Sequence, residues 1–202
     1  KSLEKESLPE RLLQSTGGWY LTIVVFITQI ISSIGTLAAD YLIQVNAEFS
    51  SFQLSELVKW VALSWIFAHA SLLIGTYFFY GNIRFALEAW QKKKENTPNK
   101  KTDTKTWNQL TSFSGLYSIF LAFTLFVFIF PAILSQVSIL DLAVDQLIYT
   151  LLGMGAAILS SSIYSLFLLE YLLKPAYKVL YPKSSKGKLI LTKGFNISVK
   201  MQ

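Results

Sequence analysis

Apolar residues in this chain gather into four long blocks, not the short periods of a soluble fold. The blocks cover about 19–39, 58–80, 113–136 and 147–173. Each is near the ~20 helical residues needed to cross roughly 30 Å of hydrocarbon. Between the second and third lies the one long polar run, 82–108, which contains Gln91-Lys92-Lys93-Lys94-Glu95-Asn96-Thr97-Pro98-Asn99-Lys100-Lys101. The pattern predicts an all-α integral membrane protein with four transmembrane helices, set as two antiparallel hairpins. In chain order this gives an N-terminal cytoplasmic segment 1–18, a first hairpin 19–81, a basic cytoplasmic loop 82–108, a second hairpin 109–175 and a basic cytoplasmic tail 176–202.

Finer features sit on this frame. Pro9-Glu10-Arg11-Leu12-Leu13 can start a short interfacial helix before Gly17-Gly18. The outer half of the first span is small and polar (Ser32, Ser33, Gly35, Thr36, Ala38, Ala39), which lets helix backbones approach closely in lipid. Residues 40–57 carry Asp40, Glu48 and Glu56, with Leu42, Val45, Phe49 and Phe52 at helical steps, so an interfacial amphipathic helix is expected there. The second span should continue as a helix through about Trp90, and 91–106 has the composition of a disordered loop. Pro131 should kink the third span toward its outer end. Ser138 and Asp141 have capping-box spacing, and Glu170 with Lys174 reads as an i,i+4 pair.

Charge orients the frame. Of 18 Lys and Arg, all but Lys59 fall in 1–18, in 82–108, or from Lys174 onward. Basic residues remain on the cytoplasmic side, so both termini and the central loop are placed inside. The other two loops are acidic. A net charge of +6 confined to one side suits anionic headgroups better than nucleic acid, which needs a basic face on a soluble domain. The expected partners are the anionic lipid bilayer, other membrane proteins or further copies of this chain, and a cytoplasmic protein. A bacterial inner or plasma membrane is the expected location. Lys1 in place of Met points to processing or to a piece of a longer protein.

The two hairpins resemble each other in spacing. A shift of 90 residues superposes Ser71, Gly75, Ile83, Arg84 and Ala86 on Ser161, Ser165, Leu173, Lys174 and Ala176. Two hairpins in one orientation would make a parallel internal repeat.

Few residues offer chemistry. His69, the only histidine, lies near the middle of its span, and Gln29 lies at similar depth in the first. A neutral imidazole in lipid needs a partner, so Gln29 and His69 are expected to meet, either as a structural hydrogen bond or as a proton-sensitive switch. Gly153, Ala157, Ser161 and Ser165 recur every four residues on the fourth span and read as a helix-packing seam. Arg84, Lys92, Lys93, Lys94, Lys100, Lys101, Lys174 and Lys178 form the candidate basic surface. Without cysteine there is no thiol chemistry and no disulfide. A single histidine gives no His-rich metal cluster, and no phosphate-binding glycine loop is present. Neither catalytic residues nor a cofactor is expected.

Three functions compete. The favoured one is a non-catalytic polytopic subunit that packs laterally in a larger membrane complex and presents a basic cytoplasmic surface. The second is the membrane input region of a signalling protein, similar in outline to the multi-span N-terminal regions of bacterial sensor kinases and nucleotide cyclases. Besides the architecture, that likeness rests on Leu172-Leu173-Lys174-Pro175, similar to the basic-proline junction opening a HAMP linker, the rest of whose pattern is missing. The third is a channel or facilitator for a neutral solute, lined by Ser, Thr and Gln.

Overall fold

The computed structural model describes residues 7–96 and 104–181, with side chains except at 38 and 93–96. Among the described residues the protein is wholly helical: α1 (Leu8–Thr16), a 3-10 turn (Gly17–Trp19), α2 (Tyr20–Ser32), α3 (Ile34–Asn46), α4 (Ser51–Phe79), α5 (Gly81–Asn96), α6 (Thr104–Val137) and α7 (Val144–Leu180). Four segments, Leu8–Asn46, Ser51–Phe79, Thr104–Val137 and Val144–Leu180, are long and apolar enough to cross a membrane, so this is an integral membrane protein. Large apolar side chains such as Phe78, Phe79, Ile119 and Phe167 point outward, as lipid-facing positions require.

The first span is broken. At Ser33 the backbone turns between α2 and α3, and the Ser33 hydroxyl and N–H both reach the Gln29 carbonyl, at 2.5 and 3.2 Å. The Thr36 hydroxyl then donates to the Ser33 carbonyl at 2.6 Å. Hydroxyls bonding back to their own helix compete with its ladder and bend it. Beyond the bend α3 runs on to Asn46, and α4 begins at Ser51, capped by Ser50 accepting from the Gln53 N–H at 3.2 Å. The interfacial helix expected over 40–57 is therefore two span ends and a four-residue link. Good caps at both ends let the spans absorb those residues.

One other local expectation changes. Asp141 has φ +48° and lies in a turn, and the cap of α7 is instead Ala143, whose N–H donates to Gln146 at 3.0 Å. Pro131 and Pro175 both sit inside helices that continue past them, to Val137 and Leu180. Pro175 deprives the Tyr171 carbonyl of its helical donor. One residue on, the Tyr20 hydroxyl donates to the Leu172 carbonyl, the kind of side-chain support that lets proline stay in a membrane helix.

Helix neighbours do not follow the chain order simply. α7 packs along α6, α3 and α2, and α4 packs mainly on α6. α2 touches α4 over a short stretch, while α3 and α4 scarcely meet. At one end the two short links are tied together: Gln53 donates to the Leu140 carbonyl at 2.9 Å, and Gln146 donates to the Glu48 carbonyl at 2.7 Å. At the other end, α5 lies against the 3-10 turn, α6 and α7. The superposable positions of the two halves differ in setting, since Ser71 is exposed where Ser161 is buried. α4 also gives way to α5 at Tyr80, whereas α7 is unbroken.

Gly17 and Gly18 make the α5 contact possible. Gly17 has φ +50°, and a methyl group there would strike the Gln91 side chain; one at Gly18 would lie 3.2 Å from Glu88 Cβ. Gln91 in turn donates to the Gln14 carbonyl at 3.0 Å. Gly17→Ala is expected to cost about 1–3 kcal/mol, through backbone strain and lost α5 docking. Gly115→Ala, in open space, should leave the midpoint unchanged or slightly raised. Thermal unfolding of both variants in detergent micelles checks this.

Candidate functional site

Halfway along the bundle three spans meet at a polar contact. Gln29 on α2 is 3% exposed, and its amide donates to the His69 backbone carbonyl at 3.2 Å and to the Tyr117 hydroxyl at 3.0 Å. The structure thus brings Gln29 to His69, but to its backbone and not its imidazole. The ring packs instead on Trp65, with centroids 3.9 Å apart, and its Nδ1 lies 2.9 Å from the Trp65 carbonyl. A carbonyl can only accept, so Nδ1 carries the proton. The residue that answers the Gln29 side chain is Tyr117, which the sequence reading missed. Its signal was a lone phenol on the inward stripe Phe113, Tyr117, Leu121, Leu125 of a Phe-rich span, all buried.

The seam on α7 faces the first span. Gly153 and Ser161 are buried and Ala157 is half-buried. A methyl at Gly153 would meet the Ile43 side chain and sit 3.3 Å from the Ala39 carbonyl; one at Gly35 would sit 3.2 Å from Ser160 Cβ. Small residues on each helix therefore admit the backbone of the other. One turn further, the Ser161 hydroxyl donates to the Ser32 carbonyl at 3.2 Å. Ser165, fully buried, has a hydroxyl without a hydrogen-bond partner.

Because α3 leans on α7 while α4 stays with α6, the halves of the first two spans next to their link stand apart. A cavity of about 540 Å³ fills the gap. α3 and α4 form its sides, with Ile34, Leu37, Asp40, Val58, Val61 and Trp65 among the lining, and α6 and α7 form its back with Leu125, Ile129, Gly153, Ala157 and Ile158. Its wall is apolar apart from Asp40, Gln44 and a few hydroxyls. Trp65 closes the deep side of this cavity. Toward the other end the interior is filled by buried Tyr20, Val24, Phe113, Tyr117, Leu121 and Leu169.

The candidate basic surface is built around the docked α5. Arg84 lies with its guanidinium 4.2 Å over the Tyr77 ring and 4.9 Å from that of Phe85. Lys92 pairs with Glu88 at 2.7 Å and Lys178 with Glu10 at 3.1 Å, across 168 residues. Lys174 lies 5.6 Å over the Tyr171 ring; it forms no ion pair with Glu170 among the described residues. The side chains of Lys93 and Lys94, and Lys100 and Lys101 entirely, lie outside the described residues. Hydrogen bonds from the Ser7 N–H, at 3.0 Å, and from Lys178 hold the Glu10 carboxyl below its ordinary value, as Lys92 does for Glu88. Among the described residues no group of three or more His, Asp or Glu is placed to hold a metal ion. The chain matches no protein-family profile, no curated protein and no solved structure.

Two outcomes follow from this geometry. A double-mutant cycle of Gln29→Leu and Tyr117→Phe, measured by reversible unfolding in mixed micelles, should give a coupling of about 0.5–1.5 kcal/mol. His69→Phe should leave that coupling unchanged. Since the folded-state value of Glu10 is depressed, its contribution is present at neutral pH and is lost as pH falls through a value below the ordinary 4.5. Hydrogen exchange of the α1 amides should show that acid step in the native chain and not in Glu10→Gln.

Proposed function

We propose that this chain is a non-catalytic four-span membrane subunit with both termini cytoplasmic. It packs laterally within a larger membrane complex and presents its basic end to a soluble partner or to anionic lipid. The observation that carries this reading is the folded base. α1, the Gly17–Trp19 turn and α5 are held on the end of the bundle by the glycine pair, by Gln91 on Gln14 and by Lys178 on Glu10. Ordering these residues costs conformational entropy that mere links between spans would not incur. What it yields is a surface on which Lys92, Lys174 and Lys178 stay exposed. The interior supports the same reading, because its polar side chains bond helix to helix instead of converging on an open reaction centre.

A second reading, the input region of a signalling protein, draws on α7. That one unbroken helix lines the cavity with Gly153 and Ile158 and ends at the Lys178–Glu10 pair on the base. A small shift at one end would be carried to the other.

Purification of the full chain in mild detergent from its own membranes tests the first reading. The expected result is co-purification with other membrane chains in fixed ratio. Replacing Lys92, Lys93, Lys94, Lys100 and Lys101 by Gln should lower the retained anionic lipid or bound soluble partner about five-fold or more, since each lysine near such a surface contributes up to about 1 kcal/mol. A chain that purifies alone, with lipid retention unchanged in the lysine variant, would overturn the proposal.

A further inference from the structure

The cavity between α3 and α4 is a feature that the proposed function leaves unused. Its position limits what it can hold. α3 and α4 scarcely touch, and α6 and α7 close the back, so the opening faces sideways between the first two spans. Both spans cross the bilayer, so that opening meets lipid and not water. From Leu54 to Trp65 on α4 it extends about 17 Å along the helix axis. One leaflet of a bilayer contributes about 15 Å of hydrocarbon, so the cavity is as deep as one acyl chain is long.

The polar groups sit at one end. Asp40 and Gln44 are exposed on α3 at the side of the cavity nearer the acidic links, with Trp65 at the opposite, deep side. Asp40 has no hydrogen-bond or ion-pair partner among the described residues, and the one lysine at that end, Lys59, is engaged by Glu56 at 3.4 Å. An unpaired carboxylate at the mouth of an apolar groove suits a headgroup that is cationic and can donate hydrogen bonds. A primary ammonium does both. A quaternary ammonium is cationic but has no proton to donate, and an anionic headgroup would be repelled.

We propose that this groove is a lipid site: it takes one acyl chain of a phosphatidylethanolamine from the leaflet on the acidic side, with the lipid ammonium on Asp40. The site rests on insertion of the four spans and not on any partner protein, so it stands or falls separately from the subunit reading.

Quenching of Trp65 tests it. The purified full chain is placed in phosphatidylcholine nanodiscs containing a small, equal fraction of phosphatidylethanolamine, phosphatidylcholine or phosphatidylglycerol brominated at mid-chain. The Trp65 signal is the difference between the native chain and Trp65→Phe. Quenching should be about two- to five-fold more effective with the ethanolamine lipid, the range that a partly exposed charge pair provides. Asp40→Asn, a substitution at an exposed position that the fold tolerates, should reduce it to the level of phosphatidylcholine. Ala157→Phe, which fills the back of the groove, should abolish the quenching by all three. Equal quenching by all three lipids in the native chain would mean ordinary lipid contact and would overturn the site. So would a preference that survives Asp40→Asn, or a Trp65 that no brominated lipid reaches because protein covers the groove.

Discussion

The close approach of α7 to the first span is the contact on which the rest of the molecule depends. Gly153 and Gly35, each lying where a methyl group would crowd the opposite helix, bring the backbones of α7 and α3 together. In lipid there is no hydrophobic force between helices, so this fit and the hydrogen bonds it permits must hold the pair. Once α3 is committed to α7, it cannot also lie along α4. α4 then rests on α6, and the halves of the first two spans next to their link separate. The cavity follows from that choice of neighbour.

The same rule governs the polar groups. Nothing in hydrocarbon satisfies a stray donor, so most polar side chains in the core reach across to another helix or back along their own, Ser165 being the exception among the described residues. Gln29 reaches across α2 to two other spans at once, and Ser161 joins α7 to α2 at the Ser32 carbonyl. Ser33 and Thr36 bond back along their own helix, at the residue where α2 gives way to α3.

At the basic end a different force operates. Glycines there admit α5 against the turn below the first span, and the Lys178–Glu10 pair joins distant parts of the chain. These contacts lie at headgroup depth, where water and salt weaken individual ion pairs. Their geometry matters more than their strength, because it holds a set of lysines on one face.

The four spans, their approximate limits and the concentration of basic residues could be read from the sequence. They depend on composition and helical periodicity, which are local. Which helix lies beside which could not be read, because lipid-facing and core-facing residues in such a chain are mostly apolar alike and pattern alone does not separate them. The partner of the Gln29 side chain, Tyr117, comes from a span 88 residues away. The unpaired Asp40 looked like an ordinary loop acid until α3 carried it to the side of a cavity. Local physics determined the elements and their length and apolarity; only the packing of α7 decided the neighbours, since that depends on where small residues on distant helices happen to meet.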